Sequence, residues 1–192
     1  MNSENPNVYN LLDNSNIIPS VIWLTGLSGS GKTTIAEELS KQLRSQQIFP
    51  CILDGDQLRS GLNKDLGFTQ DDRYENIRRT AEIAKILNQQ EFVVITALIS
   101  PLQSQRDMAK EIIGKHFYDI FIDTPFDICK KRDVKGLYKA EAEGKIKNFT
   151  GTTSNYEPPK SPFIKLTYPF DLKESSTEII NKTLSMDLKK SL

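Results

Sequence analysis

A glycine-rich segment at residues 26–33, GLSGSGKT, constrains this 192-residue chain more than any other feature. It has the pattern G-x-x-x-x-G-K-[ST], and it lies between an apolar run at residues 21–25 and a helix-forming stretch that begins at Lys32. Glycines in this pattern let successive backbone N–H groups turn toward phosphate oxygens, and the N-terminus of the following helix adds its positive dipole end. The segment therefore predicts a loop for the phosphates of a nucleoside triphosphate, which we expect to be ATP with Mg²⁺.

Each residue of this phosphate loop has an expected role. Lys32 brings positive charge to the β- and γ-phosphates, Thr33 offers its hydroxyl to Mg²⁺, and Thr34 continues the helix. The alternative is a glycine- and serine-rich turn that carries a lysine by chance, and the strand before it and the helix after it argue against that. The predicted ATP-binding residues are Gly26, Leu27, Ser28, Gly29, Ser30, Gly31, Lys32, Thr33 and Thr34.

Short β-branched runs alternate with helical stretches along the chain, which is typical of an α/β fold with a parallel sheet. The fold class that we predict is a P-loop NTPase-type parallel β-sheet flanked by helices, with a mobile lid segment at about residues 132–160. Ser175 or Ser176 is the predicted N-cap of the last helix. The predicted strands are residues 21–25, 50–54, 92–97, 118–122 and 164–166, and the main predicted helices are residues 32–44, 71–90 and 175–190.

Length and charge limit the remaining possibilities. One compact domain is expected, since a single core rarely divides below roughly 250 residues. We assign residues 1–20 to an N-terminal tail and residues 21–192 to the domain. Lys+Arg and Asp+Glu number 25 each, so no overall electrostatic field attracts the chain to nucleic acid or to an anionic membrane.

Neither a membrane span nor a secreted framework is indicated. No segment approaches the roughly 20 apolar residues that cross a bilayer, and the Asn/Ser-rich N-terminus lacks the pattern of a signal peptide. Cys51 and Cys129 are far apart in the chain, and their spacing indicates neither a disulfide framework nor a zinc site. We expect a cytoplasmic protein.

An acidic pair, Asp54 and Asp56, follows the second predicted strand. The C-terminal end of a strand beside a phosphate loop faces the nucleotide crevice, where one carboxylate can accept the proton of an attacking hydroxyl and one can hold Mg²⁺. We predict Asp54 as the base with Asp56 assisting, and Thr33 and Asp56 as metal ligands. The alternative is an acidic turn that caps the next helix.

Several further motifs follow in order: LDGDQLRSGLN and DLGF, then DR with ENIRR, then ISP, and finally RDVKGLY and FTG. In this order and spacing, over about residues 21–159, they closely resemble the adenylylsulfate kinases. The resemblance implies transfer of the γ-phosphoryl group of ATP to the 3′-hydroxyl of adenosine 5′-phosphosulfate, by direct in-line transfer. The product is 3′-phosphoadenosine 5′-phosphosulfate, the activated sulfate donor of sulfate assimilation.

The resemblance also implies an acceptor site built from cations and aromatic rings. Two anionic groups require fixed cationic donors, and stacking on an aromatic ring stabilises a base by roughly 1–3 kcal/mol. By resemblance, the acceptor's phosphosulfate and ribose bind to Arg59, Arg73 and Lys135, its hydrogen bond comes from Asn76, and its adenine stacks between Phe68 and Phe149.

Helical spacing alone suggests other roles for these residues. Arg73, Arg78 and Arg79 then form a solvated helix face that pairs with Glu75 and Glu82. The two phenylalanines are then core aromatics. With the resemblance, Arg73 is expected to be a ligand and Arg79 to be a surface residue.

Two more catalytic candidates come from the resemblance. Arg132, at the end of a helix that begins near Phe126, is placed like the arginine that small P-loop kinases close over the transferred phosphoryl group. Ile99 and Ser100 are expected to contact the acceptor. For Ser100, a covalent phosphoserine role and a purely structural role stay open as alternatives.

One departure from the family keeps a second function open. The family continues after Phe-Thr-Gly with Ile-Asp-Ser, whereas this chain has Thr152-Thr153-Ser154. A related P-loop kinase acting on another nucleotide-like anion, such as a cytidine diphosphate derivative in surface-polysaccharide synthesis, is therefore the alternative. A non-catalytic nucleotide-binding protein is disfavoured, because Lys32 and the acidic pair are present. Family members are often dimers, so a homodimer is expected.

Overall fold

The computed structural model describes residues 17–145, 150–152 and 154–184. In this part of the chain, five parallel strands form one sheet in the order β2-β3-β1-β4-β5. The strands are β1 (Val21–Thr25), β2 (Cys51–Asp54), β3 (Val94–Ala97), β4 (Phe117–Asp123) and β5 (Ile164–Thr167). The helices are α1 (Lys32–Ser45), α2 (Gly55–Ser60), α3 (Gln70–Gln89), α4 (Gln103–Ile113), α5 (Phe126–Arg132), α6 (Leu137–Ala142) and α7 (Leu172–Leu184).

Helices cover both faces of the sheet, as a parallel sheet requires. On one face, α1 and α7 pack their apolar residues, such as Leu39 and Ile179, against Ile22 and Ile95. On the other face, α3 and α4 pack against the side chains that point the opposite way, including Trp23. The predicted fold class, a parallel β-sheet flanked by helices, is thereby confirmed.

Three local expectations need correction. β3 begins at Val94 rather than at residue 92, because the Phe92 side chain lies outside the sheet and is 42% exposed. Helix α4 was not expected from the sequence, and α2 was considered only as the helix that an acidic turn at Asp54 would cap. α2 is only six residues long, which is too short for a periodic pattern to indicate it.

The N-cap prediction for the last helix is also wrong. α7 begins at Leu172, and the carboxylate of Asp171 accepts a hydrogen bond from the backbone N–H of Glu174 at 2.8 Å. Ser175 and Ser176 are buried within the helix. An aspartate and a serine are comparable N-caps, so helix propensity alone did not choose between them.

Some predictions fall outside the described residues. These are the first sixteen residues of the predicted tail, Phe149, and the end of the last predicted helix beyond Leu184. The division into a tail and one domain stays a prediction. Among the helices that are described, none is both long and apolar enough to cross a membrane.

Candidate active site

A cavity of about 840 Å³ opens at the carboxyl ends of β1, β2 and β3. It runs from the phosphate loop, past the acidic pair, to residues of α2 and α3. The predicted site residues that line it are Ser28, Gly29, Ser30, Gly31, Lys32, Thr33, Thr34, Asp54, Asp56, Arg59, Phe68, Arg73, Asn76, Ile99, Ser100, Arg132 and Lys135. Gly26 and Leu27 are not among the lining residues, and Phe149 is outside the described residues.

The phosphate loop depends on glycine at two of its positions. Gly29 and Gly31 have positive φ angles of 77° and 109°, in the region that side chains rarely adopt. A Cβ atom on Gly29 would also lie only 2.9 Å from the carbonyl oxygen of Cys129. The loop therefore keeps its shape only with glycine, and this shape brings its backbone to the start of α1.

Lys32 is held inside its own loop. Its Nζ donates hydrogen bonds to the carbonyl oxygens of Gly26 at 2.9 Å and Leu27 at 2.7 Å. Burial, and to a smaller extent the positive charge of Lys135, lower the pKa of Lys32 to about 7. A bound phosphate would supply the negative charge that this lysine lacks, so the site is suited to an anion.

The two carboxylates of the acidic pair have different partners. Thr33 Oγ1 donates to Asp54 Oδ2 at 3.1 Å, while Asp54 Oδ1 caps α2 by accepting from the backbone N–H of Asp56 at 2.9 Å. The helix cap considered as an alternative is thus present, together with a contact to the phosphate loop. Asp56 instead forms an ion pair with Lys135.

The threonine hydroxyl and the Asp54 carboxylate form a donor set that fits Mg²⁺. Both are hard oxygen ligands, and they lie beside the position where the loop would hold phosphate oxygens. No cluster of three or more His, Cys, Asp or Glu side chains that could hold a metal occurs among the described residues. A magnesium ion here would therefore complete its shell with water and substrate phosphate, as Mg²⁺ commonly does.

At the far end of the cavity, two arginines face one exposed ring. The Phe68 side chain is 55% exposed, the Arg59 guanidinium carbon lies 4.6 Å from its ring centroid, and that of Arg73 lies 5.9 Å away. Partial burial lowers the pKa of both arginines. Phe68 is thus not a core aromatic, and the ring and the two charges together present one surface for a flat anionic ligand.

Two contacts shape the wall beside this ring. The buried amide of Asn76 accepts a hydrogen bond from Asn63 Nδ2 at 3.0 Å through its Oδ1, and Arg73 donates a short hydrogen bond to Thr150 Oγ1. Arg79, expected to be a surface residue, forms a two-pronged ion pair with Asp65 at 2.8 and 2.9 Å. This pair ties the loop that carries Phe68 to α3.

Ser100 is buried, whereas Arg132 is exposed and lines the main cavity. Ser100 is 1% exposed, and its hydroxyl oxygen accepts a hydrogen bond from the indole of Trp23 at 3.0 Å. Arg132 Nη1 donates to the carbonyl oxygen of Gly29 at 3.0 Å, and its guanidinium lies 5.3 Å from the centroid of the Tyr168 ring. Arg132 thus lies against the phosphate loop at the cavity, and the catalytic roles of both residues stay predictions.

Only part of the departure from the family pattern lies within the described residues. Thr152, where the family has isoleucine, is described, whereas Thr153, where the family has aspartate, is not. Thr152 lines a second cavity of about 310 Å³, together with Leu27, Phe126 and Ser154, the serine that the family shares. Thr152 is not among the residues that line the main cavity.

Sequence reasoning missed several lining residues. Phe170 and Leu172 follow β5 and border the cavity near the start of α1, and Thr150 borders it through Arg73. One signal was available for the first two, because residues after the C-terminal end of a parallel strand face the ligand crevice. No local pattern indicates Asn63, since its contact with Asn76 spans 13 residues.

The fold and the site together define a P-loop phosphotransferase. A model of the adenylylsulphate kinase family matches residues 18–167. The chain therefore belongs to the adenylylsulfate kinase family, and the predicted resemblance is confirmed.

Individual relatives agree with this assignment. The chain is 47% identical over 161 residues to the adenylyl-sulfate kinase of Clostridium acetobutylicum, covering 84% of this chain and 80% of that protein. It is 47% identical over 174 residues to the bifunctional enzyme NodQ of Rhizobium meliloti, covering 88% of this chain but only 27% of that longer protein. The structure of the Mycobacterium tuberculosis APS kinase CysC in complex with AMPPNP and APS superposes with a TM-score of 0.82 at 41% identity, covering 85% and 96% of the two chains.

The low pKa of Lys32 predicts a proton uptake on nucleotide binding. At pH 8 the free lysine, with a pKa of about 7, is mostly neutral, whereas a phosphate beside it raises the pKa and keeps it charged. Saturating ADP should therefore bind with uptake of about one proton per site, and affinity should fall as pH rises above 7. Calorimetry in buffers of different ionisation enthalpy measures this uptake. An equal uptake by Lys32→Met would contradict the assignment.

Proposed function

We propose that this chain transfers the γ-phosphoryl group of ATP to the 3′-hydroxyl of adenosine 5′-phosphosulfate. The observation that carries the proposal is the layout of one cavity, with a phosphate loop at one end, Phe68 between two arginines at the other, and a carboxylate pair between them. Such a cavity has room for two nucleotides with their phosphates facing each other. Membership of the adenylylsulfate kinase family supports the same substrates.

The donor half of the site is the phosphate loop with the start of α1. Backbone N–H groups of the loop and Lys32 bind the β- and γ-phosphates, and Thr33 with a carboxylate holds Mg²⁺. A bound Mg²⁺ neutralises charge on the transferred group. Arg132 adds a positive charge against the loop, consistent with a role in stabilising that group.

The acceptor half lies on α2 and α3. Phe68 stacks on the adenine of the acceptor, while Arg59, Arg73 and Lys135 bind its phosphosulfate and ribose. Asn76 hydrogen-bonds the acceptor, and Phe149 remains a prediction for the second face of the base. Ile99 and Ser100 contact the acceptor through the loop after β3.

For the reacting atoms, the contacts suggest a division of labour between the two carboxylates. Asp54 lies beside Thr33, which supports a metal-side role, whereas Asp56 forms an ion pair with Lys135. We infer that Asp56 accepts the proton of the 3′-hydroxyl and that Asp54 acts on the metal side. This reverses the division expected from the sequence.

The proposal also includes the cellular location and the oligomeric state of the enzyme. A cytoplasmic location and a homodimer are consistent with family membership, and both stay predictions. Size measurement in solution, such as light scattering after gel filtration, distinguishes a dimer from a monomer.

The direct test is a coupled assay with ATP, Mg²⁺ and adenylylsulfate, run beside a panel of other nucleotides that includes cytidine diphosphate derivatives. We expect product from adenylylsulfate and at least ten-fold lower kcat/KM with the other acceptors, because the aromatic and cationic pocket selects both base and anion. Absence of product from adenylylsulfate, with product from a cytidine compound, would establish the alternative function.

Phe68 offers a test of base stacking with a matched control in the same chain. Phe68→Ala should raise KM for adenylylsulfate by roughly 5- to 150-fold, the range for losing about 1–3 kcal/mol of stacking. Phe49 is also exposed and lies under an arginine, Arg44, but it is remote from the cavity. Phe49→Ala should leave the steady-state constants unchanged, and an equal effect of both changes would remove Phe68 from the site.

The dependence of the rate on Mg²⁺ concentration distinguishes the roles of Asp54 and Asp56. Asp54→Asn should raise the Mg²⁺ concentration for half-maximal rate, because it weakens an oxygen ligand set for a hard cation. Asp56→Asn should lower kcat by about 10²- to 10⁴-fold at saturating Mg²⁺, the usual contribution of a general base. Titration of both variants with Mg²⁺ measures the difference, and the opposite pattern would restore Asp54 as the base.

A further inference from the structure

Arg106 is a buried arginine that the catalytic site described above does not use. Its residue is 1% exposed, and it lies on α4 behind the loop that follows β3. No ion pair to a carboxylate is formed by its guanidinium within the part of the chain that the structure describes. A buried charge without a counter-ion is costly unless hydrogen bonds compensate it, so the partners of this side chain identify what it does.

Those partners come from two separate segments. Nη1 donates to the carbonyl oxygen of Ser100 at 2.6 Å, and Nη2 donates to the carbonyl oxygen of Glu157 at 2.7 Å and to Gln103 Oε1 at 2.9 Å. Two direct contacts complete the junction: the backbone N–H of Glu157 donates to the carbonyl oxygen of Pro101, and that of Gln103 donates to the Glu157 carboxylate, each at 2.8 Å.

Both segments lead into the cavity. The first, residues 99–101, which we term the acceptor loop, lines it directly and contains Ser100 with a positive φ of 44°. The second, residues 154–157, which we term the return segment, is bonded to Gly151 through the Ser154 carbonyl oxygen. Next to Gly151, Thr150 lines the cavity and contacts Arg73. Arg106 thus joins two walls of the acceptor half from behind.

The chemistry of arginine suits this task. A planar guanidinium has donors on separate nitrogens that can reach two backbone carbonyls at once, whereas a lysine ammonium is a single point. A non-glycine residue at φ 44° is also held in a conformation that costs free energy, and the bond to the Ser100 carbonyl helps to hold it there.

We propose that Arg106 is a positioning residue. It holds the acceptor loop and the return segment in a fixed relative position, and it thereby fixes the shape of the acceptor site without touching the acceptor. The proposal rests on the proposed function for its kinetic consequence. The junction itself is a property of the chain that can be measured without turnover.

The kinetic test compares Arg106→Lys with a control, Arg44→Met, which removes an arginine far from the cavity. Arg106→Lys should lower kcat/KM for adenylylsulfate by about 10- to 100-fold, because a small misplacement of a bound substrate has an effect of this size. It should change KM for ATP less than two-fold. The control should change neither constant. An equal effect on both substrates, or wild-type constants, would overturn the proposal.

Hydrogen exchange tests the junction without activity. Arg106→Lys and Arg106→Gln should speed exchange of the backbone N–H groups of Glu157 and Gln103 together, with α1 amides unchanged. Emission of Trp23, the single tryptophan, which donates to Ser100, verifies that each variant is folded and reports a shift of the acceptor loop. Faster exchange at only one of the two amides, or at neither, would refute the junction. If the wild-type protein did not turn over adenylylsulfate, but the Arg106 variants still sped exchange at Glu157 and Gln103 together, only the proposed function would be refuted.

Discussion

Parallel pairing of the neighbouring strands β2, β3 and β1 places the working parts of this protein at one edge of the sheet. Leu24 of β1 and Asp54 of β2 both pair with Ala97 of β3, so the three strands end within one residue of the same level. The phosphate loop, the acidic pair and the acceptor loop each begin just beyond these ends. Hydrogen bonds of the sheet thus determine the distances between groups that lie far apart in the chain.

Charge within the cavity follows from this arrangement rather than from the composition. The chain as a whole has a formal net charge of +0, yet Lys32, Arg59, Arg73 and Lys135 border the same space. Burial lowers the pKa of Lys32, Arg59 and Arg73, and a neighbouring cation acts in the same direction on Lys32 and Arg73. Anionic ligands at both ends of the cavity would stabilise these clustered positive charges, and two phosphate-bearing substrates provide such ligands.

The structure separates two neighbouring residues of the segment in which the chain departs from the family pattern. Thr152 stands where the family has isoleucine, and it lines the second cavity beside Leu27. Thr150, two residues earlier, borders the main cavity and accepts a hydrogen bond from Arg73. The change at Thr152 therefore lies outside the lining of the main cavity, and Thr153, where the family has aspartate, is outside the described residues.

Local features were predictable because their physics is local. The phosphate loop, β1 and α1 follow from glycine positions and one apolar run, and Asp54 as a helix cap follows from its place before a short turn. The buried junction at Arg106 and the amide pair of Asn63 with Asn76 depend on contacts across many residues. The sequence alone determined the class of fold and the donor half, since both depend on short-range pattern. Only the tertiary structure decided which carboxylate faces Thr33 and which walls Arg106 joins, because these depend on how separate loops meet at the edge of the sheet.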